Sequence, residues 1–337
     1  ESWPFKKPFR ITNYVFTEAH VLVVTLRDGE LVGRGEANGV YYHNETPAYM
    51  AGQIEAVRDK IEAGIDRWAL RNLLPPGGAR NALDCALWDL EAKRSHEPVW
   101  KLAGVREPVP LRTTFTVGAG TPDQMAAAAR AYTQARAIKM KLTEEDAAAC
   151  VRAVRAARPD ICIGVDANQG FTRSSLQDLL PVLVEAKVGL IEQPVPRGAD
   201  ESLTGLNSPI PIAADESAQC TGDIASLSSL YDIINIKLDK CGGLTEGLLM
   251  ARETRRLGLK VMVGCMNATS LAMAPAFVLG QLCDFVDLDA PLFLARERKI
   301  PVQYTDGAIW CPQAVWGAAA QNHATNQDCE EKSCSLD

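Results

Sequence analysis

Between residues 111 and 291 eight short apolar segments recur at roughly 25-residue spacing, with amphipathic helical stretches between them. The segments are LRTTFTV (111–117), IKMKL (138–142), CIGVDAN (162–168), GLIEQP (189–194), PIAADES (211–217), IINIKLD (233–239), KVMVGCM (260–266) and FVDLDAP (285–291). Helical patterns over Thr121–Ala137, Glu144–Ala157 and Leu244–Leu257 separate some of them. Strands alternating with helices predict parallel pairing, because parallel neighbours need a long crossover. A doubly wound sheet alternates in the same way, but eight evenly spaced units favour a (β/α) barrel.

The first hundred residues read differently. Strand-like runs at 19–26 and 30–36 flank Arg27-Asp28-Gly29, and Asp-Gly is a strong hairpin signal. A helix is predicted over 47–64, capped by Thr46 with Pro47 at its first position, and another over 79–93 with Ala82, Leu83, Ala86, Leu87 and Leu90 on one face. This α+β unit runs out near Glu107–Pro110. A short hairpin is expected around Asp306-Gly307, packing back on the first domain, and residues after about 320 read as polar and frayed. The division expected is 1–108 as a capping domain, 109–300 as the barrel, and 301–337 as a segment returning to the cap.

Charge and cysteine usage narrow the function classes. The net charge is −7 with no long basic run, which argues against nucleic-acid or anionic-membrane partners, and no apolar stretch approaches a membrane span. No signal-like segment is visible, although the chain begins at Glu1 rather than Met. The ten cysteines are scattered without a CxxC pair, so neither a disulfide framework nor a cysteine-ligated zinc site is expected. Cys162, inside an apolar run, reads as a small buried hydrophobe. A reducing, cytoplasmic location follows. Oligomeric state stays open, a homo-oligomer included.

Active sites of such barrels form at the carboxyl ends of the strands. There the second strand carries Lys139 and Lys141, the third Asp166, the fourth Glu192, the fifth Asp215, the sixth Lys237, and the eighth Asp287 and Asp289. Three carboxylates on adjacent strands would repel one another, and a hard divalent cation such as Mg²⁺ resolves that. Any one of them alone caps a helix or pairs with a lysine about as readily. In register, the three favour one metal ion.

Lysines inside a barrel are costly unless they work. Strands two and six lie four apart in a ring of eight, so Lys141 and Lys237 face each other across the mouth. That geometry suits taking a proton from one face of a carbon and returning it on the other. Each lysine must be neutral to act as a base, and nearby cations, the metal and Lys139 beside Lys141, are expected to lower its pKa toward the working pH.

The ordered set KMK, DANQ, EQP, ADES, IKLDKCGG, VGCM and DLDAP, with ARNALDCALWDLEAK and EPVWKLAG before it, resembles the enolase superfamily in its muconate-lactonizing branch, over residues 5–317. The resemblance implies a modified TIM barrel of (β/α)7β type, capped by an α+β domain built from the N-terminal region and the C-terminal tail. Sites of that superfamily pair a Lys or His base with Mg²⁺ that stabilises an ene-diolate. By position it implies Asp166, Glu192 and Asp215 as ligands of one Mg²⁺ per subunit, Lys141 and Lys237 as the acid/base pair, and Lys139 as modulating Lys141. Asp-x-Asp at the eighth strand is the mark of dipeptide epimerases, where the pair meets the substrate's α-ammonium group; Asp287 and Asp289 match it. Cys265, Met266 and Asn267 match the stretch that bonds the dipeptide amide. The implied activity is inversion of an amino-acid α-carbon in a small-molecule dipeptide, by proton transfer between two lysines.

Three departures stand out. The arginine expected for Ala-Glu substrates falls near Asn13 or Tyr14, with Arg10 one turn early; Asn267-Ala268-Thr269 replaces an acidic residue; and strand eight ends DAP rather than DGP. A loop with Tyr14, Phe16, Tyr41 and Tyr42 suits an apolar or aromatic second residue, or is ordinary packing. The competing readings are an N-acylamino acid racemase, o-succinylbenzoate synthase or cycloisomerase in the same site, a metal-free aldolase with Lys237 as its Schiff-base lysine, and a barrel without catalysis.

Overall fold

The computed structural model describes residues 1–320. Eight parallel strands hydrogen-bond in chain order: Phe115–Val117, Ala137–Lys141, Cys162–Asp166, Val188–Glu192, Ile212–Ala214, Ile233–Lys237, Lys260–Gly264 and Phe285–Val286. The curled sheet is drawn round on itself where its first and last strands meet: Thr114 N donates to Val286 O (3.1 Å) and Leu288 N to Thr113 Oγ1 (2.9 Å). All eight segments predicted from the sequence reach this sheet. Register sets Lys141 beside Asp166 and Asp166 beside Glu192, so their side chains leave the strands at one level.

Several boundaries differ from the sequence reading. The segment 111–117 divides, and only Phe115–Val117 enters the barrel. Leu111–Arg112 instead pairs with Ala308–Trp310, one arm of the hairpin closed by Asp306 and Gly307, both at positive φ. That hairpin therefore adds to the barrel's own chain rather than packing on the first domain. It is the stretch after it that reaches residues of the N-terminal part: Trp316 Nε1 donates to Arg34 O (2.8 Å) and Gly317 N to Asp89 Oδ1 (2.9 Å). The frayed tail expected after residue 320, with Cys329 and Cys334, lies outside the described residues.

The helix predicted over Thr121–Ala137 is Pro122–Ala131, because Ala137 already begins a strand, and that over Glu144–Ala157 is Ala147–Ala157. Residues 47–64 form two helices, Pro47–Glu55 and Arg58–Glu62, interrupted at Val57 (φ −120°, ψ 11°). Thr46 caps the first as expected, accepting from Tyr49 N. Cys162 is exposed, since it starts its strand on the outward side.

Two hairpins open the chain. Leu22–Asp28 and Leu31–Ala37 form the one signalled by Asp-Gly, with Gly29 at φ +56°. Residues 19 and 20, assigned to it from sequence, belong to another, Ser2–Arg10 with Val15–His20. Pro4 and Pro8 mask that pair in the sequence, but prolines are tolerated in an irregular edge strand. The helix Gly78–Ser95 lies across the second hairpin so closely that a Cβ on Gly35 would sit 2.0 Å from Ala82 O. Its other side is buried too. There Trp88 Nε1 donates to Thr245 Oγ1 (3.0 Å) and Asp84 accepts from Thr245 N (3.0 Å), fastening it to the helix Leu244–Arg256 of the barrel. Asp239 performs the same fastening near the barrel mouth, accepting from Asn38 N (3.0 Å) and Gly39 N (3.3 Å). Among the described residues no helix is long and apolar enough to cross a membrane.

Candidate active site

Asp166, Glu192 and Asp215 are buried at the carboxyl ends of three consecutive strands, each offering an oxygen within 4.8 Å of the others. The chain turns sharply after these strands. Asn168, Gln169 and Gln193 take positive φ, a conformation that costs energy in a non-glycine residue and needs surrounding bonds to hold it. Gln193 supplies many of them: its Oε1 accepts from Asp215 N (2.9 Å) and Ser217 N (3.1 Å), and its Nε2 donates to Ser217 Oγ and Tyr231 Oη. The fourth and fifth strand ends are thus tied through one buried amide, and the third joins them where Gln169 N donates to the backbone Gln193 O (2.8 Å).

Each carboxylate has a cationic or amide neighbour. Lys141 donates to Asp166 Oδ2 (2.5 Å), Lys237 to Asp215 Oδ2 (2.6 Å) and Lys240 to Asp215 Oδ1 (2.6 Å). Asn235 Nδ2 donates to Glu192 Oε1 (2.7 Å). Lys139 reaches Glu192 Oε2 (3.3 Å) and also bonds Asp287. Burial and the charge of Asp166 push the Glu192 carboxyl above its ordinary pKa. Burial opposes the charge on Asp215, yet Lys237 and Lys240 outweigh it and hold that carboxyl low. Lys139 and Lys237 are likewise disfavoured by burial, but the carboxylates prevail and hold both ammonium groups well above their usual range. At Lys237 the carboxylates Asp215 and Glu192 thus outweigh the lowering effect of the cation Lys139.

An all-oxygen set of three carboxylates suits a hard divalent cation. Beside it, Glu216 Oε2 and Asn168 Oδ1 are buried without a hydrogen-bond partner, and burial with the charges of Asp215 and Asp166 pushes the Glu216 carboxyl up. Excess acceptors around the triad fit a bound cation.

Eight other residues singled out from the sequence line one cavity: Lys139, Lys141, Lys237, Cys265, Met266, Asn267, Asp287 and Asp289; Lys141 and Lys237 join it to the triad through Asp166 and Asp215. Asp287 accepts from Thr114 Oγ1 and Lys139, so it belongs to the charge network reaching Glu192. Among the described residues no lysine pairs with Asp289; its Oδ2 accepts from Thr116 N (2.6 Å), and burial together with Asp287 raises its carboxyl to about 7. Tyr14 is not in the lining. It is exposed and packs edge-on to Tyr41, centroids 4.5 Å apart, and Tyr41 is the ring that faces the cavity.

Sequence reasoning passed over Lys240, Asn235, Glu216 and Thr114. Lys240 ends the IKLDK run, and Asn235 lies two residues before Lys237, hence on the same face of its strand.

Residues 1–104 match the family described as "Mandelate racemase / muconate lactonizing enzyme, N-terminal domain", and residues 124–315 match "Enolase C-terminal domain-like". The chain belongs to the enolase superfamily. It is 40% identical over 311 residues to the L-Ala-D/L-Glu epimerase of Escherichia coli K12, covering 92% of this chain and 97% of that one. It is 37% identical to the N-acetyl-D-glutamate racemase of a Pseudoalteromonas species, covering 89% and 96%. Among solved structures it resembles an Agrobacterium tumefaciens enolase family member, described as having homology to dipeptide epimerases with sodium and L-Ala-L-Glu bound, at TM-score 0.92 and 41% identity, covering 94% and 98%.

Proposed function

We propose that this chain epimerises dipeptides, inverting the α-carbon next to the free carboxylate, with Lys141 and Lys237 as the two proton-transfer groups. The observation that carries this reading is the placement of those lysines on the second and sixth of eight strands, on either side of a buried acidic triad, with Asp287 and Asp289 on the eighth. A substrate α-carbon between the two amines presents one face to each. The lysine on the hydrogen's side, neutral at Nζ, accepts the α-proton; the other, as ammonium, delivers a proton to the opposite face. A divalent cation held by Asp166, Glu192 and Asp215 would compete with the lysines for the same oxygens and supply electrophilic stabilisation for the negative charge left on the substrate carboxylate.

Asp289 accounts for the free amine. A buried carboxyl beside Asp287, without a lysine of its own, gains from an α-ammonium group. Lys139 keeps Asp287 in place and carries positive charge toward Glu192. The reading includes a cap over residues 1–108 closing the mouth of a barrel at 109–300, and a reducing cytoplasmic location suited to eight free cysteines among the described residues.

The racemase relative favours a second reading, in which the substrate nitrogen is acylated. Both are tested by incubating the protein with Mg²⁺ in D₂O, with L,L-dipeptides in one arm and N-acetylamino acids in the other, and scoring a one-mass-unit gain. Deuterium in the dipeptides supports epimerisation of free-amine substrates. Deuterium confined to the acetylated arm replaces it with the second reading.

A further inference from the structure

Among the described residues one side of the cavity is lined by aromatic rings and offers no unpaired cation. Phe293 stacks on Phe9 (centroids 4.5 Å apart), Phe9 neighbours Phe16 (6.5 Å), and Phe16 meets Tyr41 edge-on (5.4 Å). All four rings line the cavity. The run leads from Phe293, in the segment after Asp289, through Phe9 and Phe16 of the N-terminal hairpin to Tyr41.

The only cations among the described lining residues are Lys139, Lys141 and Lys237, and each is already paired with a buried carboxylate. Arg10, the basic residue nearest in sequence to the loop at Asn13 and Tyr14, is exposed and absent from the lining. A carboxylate carried on the substrate's side chain would lose water against ring faces, whose quadrupoles are negative, without gaining an ion pair. An apolar or aromatic side chain loses nothing and buries its surface.

We infer that the substrates of this site are dipeptides whose epimerised residue bears an apolar or aromatic side chain, and that glutamate and aspartate are disfavoured there. The inference rests on the dipeptide-epimerase reading, and it separates this chain from relatives named for glutamate. Phe16 is the specificity residue, since it sits between Phe9 and Tyr41 at the middle of the run.

The test compares kcat/KM for L-Ala-L-Phe, L-Ala-L-Leu and L-Ala-L-Glu with the Mg²⁺-loaded protein, following loss of the α-proton signal in D₂O. The expected result is a preference for the first two of at least about tenfold. Phe16→Arg is expected to shift the preference toward L-Ala-L-Glu by a comparable factor, with Mg²⁺ affinity and melting temperature unchanged as the check on folding. Phe16→Leu is expected to keep the apolar preference. Faster turnover of L-Ala-L-Glu by the unaltered protein would overturn the inference and leave the epimerase reading standing. Exchange with no dipeptide, while Mg²⁺ binds, would overturn both.

Discussion

Asn235 and Glu192 are joined by a 2.7 Å hydrogen bond from the amide Nδ2 to carboxylate Oε1, on the floor beneath the acidic triad. The bond holds Oε1, while Oε2 receives Lys139 (3.3 Å), so the two oxygens have different partners. Groups that orient a metal ligand from behind commonly govern about 10–100-fold in affinity. Asn235→Ala is therefore expected to weaken Mg²⁺ binding by about that factor, read by titration calorimetry on protein with an unaltered circular dichroism spectrum. Unchanged affinity would reduce Asn235 to packing.

The two lysines divide the chemistry by face. Lys141→Ala and Lys237→Ala are each expected to lower epimerisation by at least about 10²-fold, the contribution of one general acid–base group. Each variant retains one amine, so each is expected to exchange the α-proton of one epimer in D₂O without inverting it, and the two variants should choose opposite epimers. Proton NMR on both substrate epimers reads this directly. Full epimerisation by either variant would sink the two-base assignment.

What the sequence made legible follows from period and position. Eight apolar segments with charged residues at their carboxyl ends give the barrel and most of the cavity, because parallel register carries sequence position into spatial level. Asp166, Glu192 and Asp215 were visible for that reason. The hairpin Ser2–Arg10 with Val15–His20 was not, since two prolines broke its strand pattern. Nor were the polar residues of the helix Gly78–Ser95 readable as contacts: Asp84 sits opposite the apolar face and looks solvent-facing until the barrel is placed against it. From sequence Lys139 is only a cation beside Lys141, whereas its decisive neighbours, Asp287 and Glu192, lie 148 and 53 residues away along the chain. Pairings of that kind are set by tertiary geometry alone.

Asp289 gives a prediction about the substrate's nitrogen. Its carboxyl is raised by burial and by Asp287, so a cation placed beside it is stabilised by both. Replacing it by Asn keeps the bond from Thr116 N and removes the charge. Asp289→Asn is expected to lower kcat/KM on free-amine dipeptides by about 10–100-fold, the worth of one hydrogen bond to a charged group, with a much smaller effect on any residual activity toward N-acetylated analogues. Equal losses on both substrates would argue that Asp289 does not meet the amine.

Asp239 makes stability depend on pH in an identifiable direction. Burial raises its carboxyl from 3.8 to about 7, against the lowering effect of hydrogen bonds from Gly39, Asn38 and Asn81. The folded state therefore holds a proton that the unfolded chain has already released. A group with its folded pKa raised contributes stability below its unfolded value and loses it as pH climbs through the folded one. The window runs from about pH 4 to about pH 7, and the loss across it is on the order of 4 kcal/mol. Asp84, raised to about 6 mainly by burial, acts in the same direction. Asp239→Asn keeps an acceptor for Asn38 and Gly39 but no longer titrates, so urea denaturation at pH 5 and pH 8 should differ less in the variant than in the unaltered protein, with the variant the more stable of the two at pH 8. Parallel pH profiles would mean that Asp239 is solvated well enough to ionise without cost.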